Sequence, residues 1–265
     1  SRNGIRHRRK GLGKPRKSYQ SRRCGCAIGT EQLAISLRQE IQHELLNHRI
    51  RLRKRWGQNL MVDERSLDKV IHAAELRPDD RVVEVGTGTG LLTERLAHHV
   101  REVVTIEIDR GLQEIAKSRL SRIGNIRWIL ANILKIDPTD ILKQFSPGPS
   151  IKIVSNPPYS ISTPLLEYFF EWDPHPQIMV FTFQKEVIDR MKAKPDSKDY
   201  GSLSLFSEYH CEVRVAGKIS KSAFFPVPEV DSEIVVLTSK TRLDSPALRQ
   251  ALFAITRATF QQRRK

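Results

Sequence analysis

Arg81-Val82-Val83-Glu84-Val85-Gly86-Thr87-Gly88-Thr89-Gly90 is a short β-branched run that ends in alternating glycines. The run reads as a buried strand, the glycines as a tight turn, and Leu91–Val100 as the helix that follows. Strand, glycine-rich turn and helix in that order put permissive backbone and free helix N–H groups beside one another, where a ligand can approach closely. Downstream, Val103–Ile106 is a second strand ending in Glu107, 21 residues after Gly86. An acidic residue at that distance is placed to accept both ribose hydroxyls of a nucleoside-containing cofactor. The glycine pattern alone is weak, and Glu107 at the right spacing makes it considerably stronger.

The pattern continues outward in both directions. Gly111–Ser121 reads as a helix and Ile126–Leu130 as a third strand that ends near Asn132. Ile151–Ser155 is a fourth, followed by Asn156-Pro157-Pro158-Tyr159. Two successive prolines forbid helix and ladder pairing alike, so the chain must turn there. That turn leaves an amide, carbonyls and an aromatic ring at a strand's C-terminal end, the edge where open α/β sheets bind ligands. Helix Thr163–Glu171, strand Ile178–Phe183, helix Lys185–Met191 and strands near Cys211–Val215 and Ile234–Leu237 complete an alternating α/β order. Upstream, Asp63 or Ser66 caps a helix running to about Glu75, and Leu33, Leu37, Ile41 and Leu45 mark an amphipathic helix expected to pack on the main domain. A last helix, basic at its end, opens at Ser245-Pro246.

Charge divides the chain. Residues 1–57 hold 16 Lys and Arg against 3 Asp and Glu, whereas residues 58–265 hold 29 against 27. A nearly neutral body thus carries a strongly basic arm with Arg8-Arg9-Lys10, Lys14-Pro15-Arg16-Lys17 and Arg22-Arg23, too poor in apolar residues to fold alone. Such an arm suits contact with a polyanion; a solubilising tail or an organellar targeting peptide is the other reading, since residues 1–30 lack acidic side chains. No apolar run reaches the roughly 18 residues of a membrane span. Cys24, Cys26 and Cys211 are too few for a disulfide framework or a zinc site, which suits a reducing compartment.

The proline turn has a definite chemistry. An exocyclic adenine nitrogen is a poor nucleophile because its lone pair is delocalised into the ring. An enzyme methylating it must present acceptors to the amino hydrogens and hold the nitrogen in line with the donor. The Asn156 side-chain carbonyl and the Pro157 backbone carbonyl can do both, on a turn rigid in advance. Tyr159 can stack on the base. No metal and no general base of unusual pKa are required, and the target base must be unstacked or flipped.

The G-x-G-x-G spacing, with Glu84 before it, resembles the first motif of class I S-adenosylmethionine-dependent methyltransferases. Over residues 53–239 the resemblance narrows. Gly57-Gln58-Asn59-Leu60, Glu84–Gly90, Glu107, Asn156–Thr163, Gln184-Lys185-Glu186, Tyr200–Ser204 and Phe224–Ser232 occur in the order of the small-subunit ribosomal RNA adenine dimethyltransferase family. The erythromycin-resistance methylases are cousins acting on large-subunit RNA. The resemblance implies a Rossmann-like fold, a mostly parallel seven-stranded sheet with helices on both faces. It also implies S-adenosylmethionine as cofactor and dimethylation of N6 of two adjacent adenosines in the 3′-terminal hairpin loop of small-subunit RNA. It divides the chain into a basic extension (1–50), a methyltransferase domain (51–241) and the start of a small helical domain (242–265).

By the same resemblance Asn59 and Met61 line the cofactor's approach, Gly86 and Gly88 lie against it, Glu107 holds the ribose and Asn132 meets the adenine. Asn156 bridges cofactor and target, Pro157 supplies an acceptor, and Tyr159 and Phe224 pack on the target base from opposite sides. Arg51, Arg53, Lys54, Arg55, Arg263 and Arg264 meet the RNA backbone. Met61 and Phe224 also suit plain core, and Asn132 a plain turn. The partner implied is an immature small ribosomal subunit, approached by a monomer without membrane or metal, in the cytoplasm or else in a mitochondrion or chloroplast. Two positions depart from the family pattern: Asn132 stands where a carboxylate is usual, its oxygen still able to accept from the adenine amino group, and Pro157 stands where leucine is usual. The alternatives are a large-subunit RNA or DNA adenine methylase, or a methyltransferase-fold assembly or transcription factor.

Overall fold

The computed structural model describes residues 36–53, 56–148, 151–240 and 246–262. The basic arm, Leu33, Lys54, Arg55, Arg263 and Arg264 lie outside them.

The described chain begins with helix α1 (Leu37–Asn47), closed at its start by a reciprocal Ser36–Gln39 capping box. Ile41 and Leu45, one turn apart, are buried against the body, and Arg119 grips Glu40 at 2.9 Å and Glu44 at 2.8 Å. The helix assigned to the extension therefore packs on the main domain, as its periodicity implied. Strand β1 (Leu60–Met61) follows, then α2 (Glu64–Ala73), whose cap is Asp63 accepting from the Ser66 N–H. The alternation then runs β2 (Arg81–Val85), α3 (Leu91–His99), β3 (Glu102–Glu107), α4 (Arg110–Arg119), β4 (Ile126–Leu130), α5 (Pro138–Leu142) and β5 (Ile151–Ser155). After it come α6 (Ser162–Phe170), β6 (Ile178–Gln184), α7 (Lys185–Lys192), α8 (Ser202–His210), β7 (Cys211–Ile219), β8 (Phe224–Phe225), β9 (Ser232–Ser239) and α9 (Pro246–Gln262).

Seven strands form one sheet in the order β4-β3-β2-β5-β6-β9-β7. All neighbours from β4 to β6 pair in parallel, and β9 runs against both β6 and β7. Strand alternation sorts the core into two faces. Val82, Val103, Val154 and Val180 pack under α1 to α4, while Val83, Val104, Ile153 and Phe181 pack under α5, α6 and α8. Helices on both faces of a mostly parallel sheet, as expected, bring the C-terminal ends of β2, β3, β4 and β5 to one edge.

Three features go beyond the sequence reading. Ser202–His210, known from sequence only as part of a motif, is a helix, with Leu203 and Phe206 buried beneath it. Strand β7 runs four residues past Val215 because a bulge between Val215 and Gly217 lets its ladder with β9 continue. A separate two-stranded sheet pairs Leu60 with Phe225 and Met61 with Phe224.

Candidate active site

The glycine turn closes β2 onto β3: the Gly86 N–H donates to the Ile106 carbonyl at 2.8 Å. Gly86 and Gly88 have φ of 83° and 56°, the left-handed region that side chains resist. A side chain would also crowd its neighbours. A Cβ at Gly88 would lie 2.8 Å from Leu60 Cδ2, and one at Gly86 would lie 3.3 Å from the Pro158 ring. These glycines let three segments meet: the β2 turn, the β1 segment and the proline turn.

Beneath the turn, Glu84 is fully buried. Thr93 and Thr105 both donate to its Oε2 at 2.6 Å, tying β2 to β3 and α3. Burial pushes the Glu84 carboxyl up to about 8, so at neutral pH it holds its proton. Glu107 ends β3 with a buried carboxylate that no cation among the described residues meets. Gly88 N–H donates to Oε2, and Ile108 and Asp109 N–H groups donate to Oε1, each at 2.9 Å. Burial raises its pKa, and these N–H groups oppose the rise by favouring the charged form. Oε2, with a single donor, keeps acceptor capacity for a further one.

A cleft opens over these residues in two lobes. The smaller, about 60 Å³, is walled by Asn59, Met61, Gly86, Gly88, Glu107 and Asn156 among others. The larger, about 300 Å³, extends past Glu107 to Ile108, Ala131, Asn132 and Ile133. Gly86, Glu107, Ile108, Pro158 and Trp56 border both lobes. The sequence-predicted cofactor residues Asn59, Met61, Gly86, Gly88, Glu107, Asn132 and Asn156 thus converge on one cleft. A nucleoside-bearing ligand fits it: glycine backbone permits close approach, a carboxylate faces the site, and the walls are otherwise largely apolar.

Asn132 carries a refinement. Its Oδ1 accepts the Leu134 N–H at 3.1 Å, capping the turn after β4. Only the oxygen can accept that bond, so Nδ2, a donor, is the end with no hydrogen-bond partner among the described residues. The oxygen expected to meet the adenine thus already accepts one backbone bond and keeps one lone pair.

The proline turn sits on the cleft's other wall. Asn156 Nδ2 donates to the Asn59 carbonyl at 3.2 Å, and Asn156 Oδ1 accepts from the Thr182 hydroxyl. Just before it, the Ser155 hydroxyl donates to the Val85 carbonyl and locks β5 to β2. Among the described residues, the Pro157 carbonyl accepts no hydrogen bond. Tyr159 bonds the buried Ser232 hydroxyl through its own at 2.8 Å. Burial pushes the Tyr159 phenol up to about 12, so it stays neutral.

Phe224 takes the core position that its sequence also suits. It is 0 % exposed, held in the β1–β8 pair, and meets Tyr159 edge-on with ring centroids 6.2 Å apart. It braces the Tyr159 ring from behind and offers no open face of its own. Met61, paired with it, is at once core and cleft wall.

Of the basic residues, Arg51 and Arg53 are exposed, and the Arg53 guanidinium lies 4.1 Å above the Trp56 ring. Thr182, Ser232 and Trp56 were not read as site residues. The available signals were slight: a lone hydroxyl inside the apolar run Ile178–Phe183, and a tryptophan directly before Gly57-Gln58. Among the described residues, no group of three His, Cys, Asp or Glu is arranged to hold a metal ion, and no helix is long and apolar enough to cross a membrane.

The chain is similar to known proteins. The chain is 39 % identical over 227 residues to ribosomal RNA small subunit methyltransferase A of Lachnoclostridium phytofermentans, covering 84 % of this chain and 78 % of that one. It is 38 % identical to the protein of that name from Clostridioides difficile, over 80 % of this chain and 74 % of that one. Among solved structures, a dimethyladenosine transferase from Plasmodium falciparum superposes with a TM-score of 0.60 at 32 % identity, covering 68 % of this chain and 63 % of that one. The 23S rRNA methyltransferase ErmE gives 0.58 at 29 %, over 72 % and 75 %. The profile of the ribosomal RNA adenine dimethylase family matches residues 49–265, which with these identities establishes that the chain belongs to that family.

Proposed function

We propose that this chain uses S-adenosylmethionine to dimethylate N6 of two adjacent adenosines in the 3′-terminal hairpin loop of small-subunit ribosomal RNA. The observation that carries the reading is the Asn156–Tyr159 turn: it stands on the wall of the Gly86–Glu107 cleft with an amide fixed at both ends and a free carbonyl at Pro157. The cofactor supplies an electrophilic methyl on a sulfonium sulfur. Glu107 accepts from the ribose, Gly86 and Gly88 admit the methionine portion, and Asn132 borders the adenine. Asn156 Oδ1 and Pro157 O accept the amino hydrogens, which turns the nitrogen lone pair out of conjugation and toward the methyl. The Tyr159 ring, braced by Phe224 and tethered to Ser232, packs on the base. The methylated nitrogen, positively charged, then loses a proton to water without a dedicated base. Arg51, Arg53, Lys54, Arg55, Arg263 and Arg264 contact the RNA backbone, giving salt-dependent binding.

The partner in this reading is an immature small subunit. The chain works on it as a monomer, in the cytoplasm or, given its acid-free basic N-terminus, in a mitochondrion or chloroplast. The likeness to ErmE favours large-subunit RNA as the second reading. Labelled S-adenosylmethionine offered with unmethylated small subunits, large-subunit RNA and duplex DNA in parallel separates them. Label in small-subunit RNA as N6-dimethyladenosine is expected; label only in large-subunit RNA or DNA overturns the proposal.

A further inference from the structure

Thr182 occupies a place where chemistry alone would favour valine. It lies on β6 between Phe181 and Phe183, and its side chain shares a sheet face with Val180, which packs in the core under α2 and α3. It is 0 % exposed. A buried hydroxyl there must find a partner, and its partner is Asn156 Oδ1.

Consider what the Asn156 amide has to offer: two lone pairs on oxygen and two N–H groups on nitrogen. The Asn59 carbonyl takes one N–H, and because a carbonyl only accepts, it decides which end of the amide is nitrogen. That bond alone is a hinge, since the amide plane can still swing about it. The Thr182 hydroxyl, donating to the oxygen, is a second fixed point and halts the swing. One lone pair and one N–H then remain, in directions set before any substrate arrives.

We infer that Thr182 is a positioning residue for methyl transfer: its hydroxyl fixes the plane of the Asn156 amide, so that the remaining oxygen lone pair meets the target amino group in line. The inference rests on the adenine-N6 reading above and adds to it a residue on the strand next to the proline turn. Thr182 does not border the cofactor cleft. Its loss therefore acts on the rate of transfer and leaves cofactor binding alone.

The test compares Thr182→Val, nearly isosteric but without the donor, with Thr182→Ser, which keeps it. It is run on whichever RNA or DNA the wild-type chain methylates. Thr182→Val is expected to lower kcat about tenfold while KM for S-adenosylmethionine and the calorimetric affinity for S-adenosylhomocysteine stay within about twofold. Thr182→Ser is expected to return kcat to within about twofold of wild type. If Thr182→Val does not give soluble protein, Thr182→Ala replaces it in the same comparison. An unchanged kcat without the hydroxyl, a cofactor affinity that falls as far as kcat, or no recovery with serine overturns the inference. A wild-type chain that methylates only a target other than small-subunit RNA sinks the proposed substrate and leaves the Thr182 comparison standing. One that methylates nothing overturns both.

Discussion

Both edges of this sheet bury a carboxylate, and they neutralise it by different means. At the N-terminal edge Asp80 precedes β2 and meets the Lys152 ammonium at 2.8 Å; Lys152 also donates to the Ala74 and Glu75 carbonyls at the end of α2. Opposite charge, short distance and two further acceptors close that site upon itself. At the C-terminal edge Glu107 meets no cation among the described residues, and N–H groups of its own loop and of the glycine turn donate to it. Backbone donors hold the charge in place without cancelling it, and so leave it able to bind something else. The N-terminal edge is built for stability and the C-terminal edge for a ligand. Substitutions at the two should therefore fail in different assays.

The largest effect belongs to the ligand edge. Asn156→Ala removes the fixed acceptor while keeping the proline turn, and transfer is expected to fall by about 10³-fold. Affinity for S-adenosylhomocysteine, measured by calorimetry, should stay within about threefold, and the urea midpoint should hardly move. Near-normal turnover in this variant breaks the assignment of Asn156.

At the opposite edge the order reverses. Lys152→Met leaves Asp80 buried without its partner, and stability in urea is expected to drop by about 3–5 kcal/mol. Activity per folded molecule should be unchanged. Adding Asp80→Leu removes the stranded charge and is expected to recover most of the loss. If Lys152→Met instead lowers turnover at unchanged stability, the division between the edges is wrong.

Glu84 tests the comparison from between the two, being a buried carboxyl met only by hydroxyls. Its pKa rises from an ordinary 4.5 to about 8 on folding, so the folded chain binds a proton that the unfolded chain has released. Stability should then fall as pH climbs between those values, by up to about 1.4 kcal/mol per unit, and level off above. Glu84→Gln, which keeps a neutral group of the same shape, is expected to flatten that slope in pH-dependent thermal unfolding. A slope that survives the substitution assigns the proton elsewhere.

These contrasts also explain what the sequence could and could not disclose. The strand ends at Ser155 and Leu130 and the spacing of Glu107 were legible because they rest on local period and turn chemistry, which a single segment carries. The glycine turn was legible for the same reason. Lys152 with Asp80, Thr182 with Asn156 and Ser232 with Tyr159 were not, since each joins residues 26 to 73 positions apart whose meeting depends on strand order. Phe224 shows the opposite failure: its motif was plain, but only the β1–β8 pairing reveals that it faces inward. Helix α8 was hidden because Ser202-Leu203-Ser204-Leu205 alternates with the period of a strand.

Asn132 gives the smallest effect and tests the ligand edge most finely. Asn132 borders the larger lobe of the cleft, and with Oδ1 accepting the Leu134 N–H its other polar end is the Nδ2 donor, at a position where the family resemblance implies a carboxylate. Asn132→Asp keeps one oxygen for the cap and puts an acceptor where the donor was, suited to an adenine amino group. Against that gain stands repulsion from the Glu107 carboxylate, which borders the same lobe. The net expectation is an S-adenosylhomocysteine affinity about fivefold tighter, roughly 1 kcal/mol, and more so as salt is raised to screen the repulsion. If affinity falls instead, the Nδ2 of Asn132 serves the adenine better as a donor than a carboxylate there does as an acceptor.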